Sequence, residues 1–252
     1  MRTTTLSILL LAFFSAVGQD PGFHSYQYGL QQAIEPKNSN AFVNPSLPLN
    51  SGKTIYLASI QPYGLKAFSQ FQMGGSMMHK SFNFRLGFNH QAHSGTRHSN
   101  LWLGVGTQLN AQLSLGMALD LSSSSSPGNQ PLYNGKAWLG FLYQHENLSY
   151  ASLVKLNHEI QELEGFIGLK IHWESSTWLS LNAGFSEHNP HILSARIGTE
   201  FSNLSLDFGL NLNLSGMCLG MAFPVQGLNL RFGLAHHPYL GESFYQNISY
   251  SW

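Results

Sequence analysis

Charge is scarce in this sequence. Asp, Glu, Lys and Arg make up 10% of its residues, against about 25% in ordinary soluble domains. A soluble chain of this size needs more charge than that to stay dispersed. The balance is neutral, with 12 basic and 12 acidic side chains, so nothing electrostatic points to nucleic acid. Cysteine is nearly absent as well. Cys218 stands alone, which excludes an internal disulfide and suits a small filler better than a reactive thiol. Neither G-x-S-x-G nor H-E-x-x-H occurs, so no catalytic constellation is expected and no cofactor is implied. Nor does any run approach the ~18 uninterrupted apolar residues of a membrane-crossing helix.

The N-terminus reads as an export signal over residues 1–18. Arg2 gives the positive start, Leu6 to Val17 the apolar stretch, and Ala16-Val17-Gly18 a small-x-small cleavage site before Gln19. No cysteine follows that site, which argues against a lipid-anchored lipoprotein. Residues 19–50 show no alternation and hold Pro21, Pro36, Pro45 and Pro48. They suit a loose linker or a plug folded inside a barrel.

What the chain has in abundance is period-two alternation. Phe82, Phe84, Leu86 and Phe88 alternate with Asn83, Arg85, Gly87 and Asn89. The beat returns at Leu204, Leu206, Phe208, Leu210 and Leu212, and again at Leu228, Leu230, Phe232 and Leu234. Such spacing puts one residue set on each face of a strand. About fourteen segments (12–14) follow one another over residues 51–252, near 53–60, 66–75, 81–89, 99–109, 111–121, 135–145, 147–156, 165–173, 177–185, 191–201, 204–212, 217–223, 227–235 and 243–252. The expected fold is an all-β, antiparallel transmembrane β-barrel with an N-terminal hatch in its lumen. Its lipid is that of the outer membrane of a Gram-negative bacterium, because an exported chain without membrane helices can satisfy its backbone in a bilayer only as a closed barrel.

Connection lengths agree. Links after odd-numbered strands are the longer ones (90–98, 122–134, 157–164, 186–190, 236–242), and those after even-numbered strands are tight (110, 146, 174–176, 202–203, 224–226). Bacterial barrels have short periplasmic turns and longer outer loops, so both termini are placed in the periplasm. Leu101, Leu103, Leu115, Met117, Leu119, Ile167, Ile171, Leu193 and Ile197 fall on the lipid face. Trp173, Tyr143, Tyr150, Tyr250 and Trp252 fall near strand ends, at the height of aromatic girdles. Tyr250 and Trp252 close an amphipathic last strand in the manner of the signal read by the barrel insertion machinery.

Arg85, Asp120, Lys170, Arg196, Glu200, Asp207 and Arg231 take the lumenal phase, with Lys136 and many inward glycines. Arg196 and Asp207 lie about equally far from the Ser202-Asn203 turn, which suits a cross-strand pair. Such charges favour structural ladders in the wall over a selectivity ring. Twelve histidines include His90, His93, His98, His158, His188, His191, His236 and His237 in the outer loops. They read as solvated rim residues, and no metal site is expected.

The stretch with Gly29, Ala33, Asn38, Ala41, Phe42, Asn44, Pro45 and Ser46 resembles the N-terminal signature of the FadL-like fatty-acid transporter barrels. It also resembles their Bacteroidota relatives, the PorV and PorQ proteins of type IX secretion, with Ser46 in place of the last alanine of A-x-x-N-P-A. A weaker likeness to the PorP/SprF barrels rests on Gln19-Asp20-Pro21. The resemblance implies that Ala41, Asn44, Pro45 and Ser46 belong to a lumenal hatch. It also implies a function, either passive passage of small hydrophobic or amphipathic molecules or a scaffold role beside a secretion-system partner.

Overall fold

The computed structural model describes residues 44–47, 52–61, 69–93, 95–157, 162–173, 176–186, 192–211, 216–237 and 241–252. The export signal, Ala41 and most of the 19–50 segment lie outside them. Fourteen strands run in chain order: β1 (Lys53–Gln61), β2 (Gln70–His79), β3 (Phe82–His93), β4 (Thr96–Gln108), β5 (Leu113–Ser125), β6 (Leu132–His145), β7 (Leu148–Asn157), β8 (Glu162–His172), β9 (Thr177–Ser186), β10 (Ile192–Phe201), β11 (Leu204–Asn211), β12 (Gly216–Val225), β13 (Leu228–His237) and β14 (Gly241–Ser251). Each pairs antiparallel with its sequence neighbours, and β1 pairs with β14 to close the barrel. The seam holds to its last residue, where Lys53 and Trp252 exchange backbone hydrogen bonds of 3.2 and 3.1 Å.

Closure leaves no strand edge unpaired, and alternation decides what each face meets. Ile55, Leu57, Phe84, Leu86, Leu103, Leu115, Met117, Leu119, Leu139, Ile197, Phe208 and Ile248 are exposed on the outside. Their inward neighbours Thr54, Tyr56, Arg85, Trp102, Ala118, Trp138, Asp207 and Asn247 are buried. A wall apolar outside and mixed inside is the surface of a barrel solvated by hydrocarbon. Tyr250 and Trp252 stack at 5.7 Å on the outer face of the closing strand.

Three differences from the sequence reading stand out. The second strand lies at Gln70–His79, displaced from 66–75 toward a tight turn at Lys80-Ser81. Strands β3 and β4 run on through most of 90–98, leaving a link of only 94–95. Strands β5 and β6 likewise continue to Ser125 and from Leu132. His90, His93 and His98 are therefore strand residues rather than loop residues, as are His236 and His237. Polar Ser, His and Asn blurred the alternation there, although the ladder holds pairs such as His90↔Ser99 and Ser122↔Asn134 without interruption. His158, His188 and His191 lie outside the described residues.

The even-numbered strands do end in short turns, at 80–81, 146–147, 202–203 and 226–227. In the last of these Gln226 and Gly227 both have positive φ (45° and 86°). That is the primed hairpin geometry which matches strand twist, and glycine adopts it without strain. These turns and the 52 and 252 ends share one rim, called the turn end below.

Candidate functional site

A row of glycines prepares the site. Gly106 pairs with Gly116 across β4 and β5, and Gly116 pairs with Gly140 across β5 and β6. All three face inward on one ladder and leave a bare strip of backbone. On that strip sits the segment 44–47, fully buried. A Cβ at Gly106 or Gly116 would collide with the backbone of Pro45, and one at Gly140 with the Asn44 amide. The glycines are there because another backbone approaches this closely.

Asn44 makes the segment a turn. Leu47 N–H donates to the Asn44 carbonyl at 3.1 Å. Ser46 donates to Asn44 Oδ1 through its N–H at 3.1 Å and its hydroxyl at 2.7 Å. Pro45 presets φ at the second position of the turn and has no N–H to leave unpaired. The turn is then fastened to the wall. Asn44 Nδ2 donates to the Ser152 carbonyl at 3.1 Å and the Phe141 carbonyl at 3.4 Å. Asn83 Nδ2 (3.3 Å) and Arg85 Nη2 both donate to the Leu47 carbonyl. Leu47 packs with Leu142 and Ala151. Five strands, β3 to β7, thus hold four residues.

Next to the turn the lumen is filled with aromatic and aliphatic side chains. Tyr56, Trp102, Ala118, Trp138, Leu153 and Phe166 form one buried cluster, with the Trp102 and Trp138 rings edge to face at 5.7 Å. The Lys155 ammonium lies 4.2 Å from the Trp138 ring centre and 4.7 Å from that of Phe166. Glu164 approaches both Lys155 (4.0 Å) and Lys136 (3.7 Å). Asp120 is buried and accepts from Asn100 Nδ2 at 3.2 Å.

The β9–β14 side is built differently. Arg196 and Asp207 do bond, but diagonally, because Arg196 pairs with Gly209 and Asp207 with Gly198. Arg196 Nε donates to Asp207 Oδ1 at 2.8 Å, its Nη2 reaches the same oxygen, and Arg231 Nη2 donates to Oδ2 at 3.1 Å. Lys170 lies 4.3 Å from the centre of the Trp178 ring. Toward the turn end Lys170, Trp178, Asp207 and Arg231 border a cavity of about 430 Å³, lined also by Glu200, Asn229, Thr54, Ser205, Ser249 and Ser251.

Of the lumenal set expected from phase, Arg85, Asp120, Lys170, Arg196 and Asp207 are buried inside and Arg231 and Glu200 half-buried. They do not form one ring. Arg85 anchors the turn, Asp120 sits with Asn100, Lys170, Glu200, Asp207 and Arg231 line the cavity, and Arg196 is bonded to Asp207. Alternation does not announce the inward tryptophans, because it marks the apolar outer set and leaves the inner set chemically open. Their signal was present: Trp102 and Trp178 hold the polar phase, and each ring lies over an inward glycine, Gly104 and Gly198. Among the described residues no three His, Cys, Asp or Glu side chains gather as a metal site.

Solved barrels share this fold. The CymD monoaromatic hydrocarbon channel superposes with a TM-score of 0.68 at 10% identity, over 88% of this chain and 94% of that one. The Pseudomonas putida toluene transporter TodX matches with a TM-score of 0.60 at 10% identity, over 87% and 93%. The KdgM porin matches with a TM-score of 0.51 at 8% identity, over 79% and 99%. At such identities the likeness is one of fold. No family model matches the sequence, and no curated protein matches it.

Proposed function

We propose that this chain is an integral outer-membrane β-barrel of a Gram-negative bacterium that lets small hydrophobic or amphipathic molecules pass passively. The turn 44–47 is the part of a hatch that closes its lumen. The observation that carries this reading is the seat itself. A wall that needed only to stand would have no use for three aligned glycines and a polar turn fastened upon them. The fold shared with barrels titled as channels and a transporter supports the same reading, as does the FadL-like pattern around Asn44 and Pro45. The turn end faces the periplasm, lipid covers the apolar belt, and Tyr250 and Trp252 serve recognition by the insertion machinery. Catalysis has no part in this role. Deleting residues 22–46 should raise the flux of hydrophobic probes into liposomes loaded with the barrel; unchanged flux counts against it.

A second reading is a scaffold beside an outer-membrane assembly, in keeping with the PorV/PorQ-like pattern and a Bacteroidota source. One observation favours it: Trp102, Trp138, Leu153 and Leu142 are themselves buried inside the β4–β7 wall. Pull-down from detergent-solubilised membranes should then recover stoichiometric partners, and a barrel that migrates alone speaks for transport.

A further inference from the structure

We propose that a furrow on the outer wall of β1–β6 seats one acyl chain of an anionic phospholipid, with the lipid phosphate at Lys53 and Trp252. The furrow, about 850 Å³ in volume, follows from the register. One bank is the outward row Met77, Phe84, Val105, Met117 and Leu139, which continues from Lys53. The other bank is the outward row Ile55, Gly75, Leu86, Leu103, Leu119 and Ala137, two residues away on every strand. Between them the row Thr54, Ser76, Arg85, Gly104, Ala118 and Trp138 has the inward phase, so backbone makes the floor. Gly75 and Ala137 keep the second bank low.

The furrow has a polar end and an apolar end. It begins at the turn-end rim, where Lys53 opens β1 and Trp252 is its partner across the seam, and it ends midway along β6 at Leu139. Six strands about 4.8 Å apart make it about 24 Å long, and rows about 6.6 Å apart leave the width of one chain. That suits a single acyl chain slanting through a leaflet about 15 Å thick. Lys53 is the one charged side chain of the lining that points outward, because Arg85 is turned in to the Leu47 carbonyl. Among the described residues no carboxylate pairs with Lys53, and no Asp or Glu stands at the turn end of β14 or of β1 to β5. Lys80 adds a second exposed cation in the turn after β2. A basic rim beside a hydrocarbon groove is complementary to a lipid phosphate, and the half-exposed Trp252 adds an indole N–H at headgroup level. A second barrel fits less well, since a two-fold contact here would bring two Lys53 side chains to one apolar interface with no carboxylate beside them. The site rests on the reading of the chain as a membrane barrel and not on whether its lumen conducts.

The test is native mass spectrometry of the full chain released from neutral detergent micelles, with dipalmitoyl phosphatidylglycerol and dipalmitoyl phosphatidylcholine as probes. One phosphatidylglycerol should be retained per barrel, about fivefold more than phosphatidylcholine at equal concentration, the preference expected of one lysine near a lipid surface. Lys53→Gln should erase that preference. Ala137→Trp lays bulk across the apolar end without touching the charge, so retention of both lipids should fall while their ratio stays the same. Equal retention of the two probes, a preference that survives Lys53→Gln, or full retention by Ala137→Trp would each overturn the site. So would a dimer mass that Ala137→Trp splits, which would give the furrow to a second copy. A chain that does not enter phosphatidylcholine nanodiscs would overturn the membrane reading and the site with it, whereas one that enters without a headgroup preference would overturn the site alone.

Discussion

On the side formed by β3–β8, the inward positions carry Trp102, Trp138, Leu142, Leu153 and Phe166, with the turn 44–47 laid over Gly106, Gly116 and Gly140. On the side formed by β9–β14 the same positions carry Ser180, Asn182, Arg196, Asp207, Ser243, Asn247 and Ser249. The first side is closed by volume and the second is held by charge, with space left at the turn end. One ladder of backbone hydrogen bonds carries both. The strand wall is therefore indifferent to its filling. What differs is the kind of damage each side feels: a misfit of shape on the first, a loss of balance on the second.

The sharpest way to break this comparison is to remove charge at constant volume. Asp207→Asn leaves Arg196 and Arg231 facing one another without their carboxylate, and loss of one partner of a buried ion pair costs about 3–5 kcal/mol. Urea unfolding followed by tryptophan fluorescence reads the effect. Adding Arg196→Gln and Arg231→Gln should recover part of it, since the two like charges no longer face one another. A triple variant no better than the single one would show that charge is not what holds this side. The next largest effect marks the outer limit of both sides. Met117 is 59% exposed on the outer face, and Met117→Arg should cost about 2–4 kcal/mol if it lies at the bilayer midplane. The same change at Tyr133, 70% exposed near the 126–131 link, should cost at most about 1 kcal/mol near the interface.

The sequence made the wall legible and left its contents half hidden. Leu101, Leu103, Leu115, Met117 and Leu119 announce strands because lipid accepts only apolar side chains, so alternation there is strict. Inside, nothing enforces one chemistry. Lys155 can lie against Trp138, and Asn100 two residues from Trp102. Phase alone therefore could not tell a polar channel from a packed interior. Arg196 and Asp207 were readable as partners because a two-residue turn fixes their register. Arg231 was not, since it reaches Asp207 from β13, two strands beyond β11. The Asn44-Pro45-Ser46 motif was visible as a pattern. Its seat was not, because Gly106, Gly116 and Gly140 are ordinary inward glycines until the register aligns them.

That seat gives the test of the other side, by volume at constant charge. Gly116→Val drives side-chain atoms into the Pro45 and Ser46 backbone, and overpacking of this kind costs about 1–3 kcal/mol. The turn has somewhere to go, so the strain should be relieved by its leaving the strip. Flux of a hydrophobic probe into liposomes would then rise, while the unfolding midpoint falls. Gly135→Ala is the control, because a Cβ there meets Leu121 at an ordinary 3.8 Å. Both readouts should stay at their native values.

The smallest effect is the most local. Asn44→Ala removes the two bonds to the Phe141 and Ser152 carbonyls together with the acceptor of both Ser46 donors. It changes neither the glycines nor the ion cluster. A net loss of about 1–2 kcal/mol is expected, because Leu47 remains packed on Leu142 and its carbonyl remains bound by Asn83 and Arg85. If the turn is one fastened unit, Asn44→Ala and Arg85→Gln should couple when combined, each change weakening the same four residues. Simple additivity in the double variant would mean that the two ends of the turn are held independently. The β3–β8 side would then be closed by its tryptophans alone.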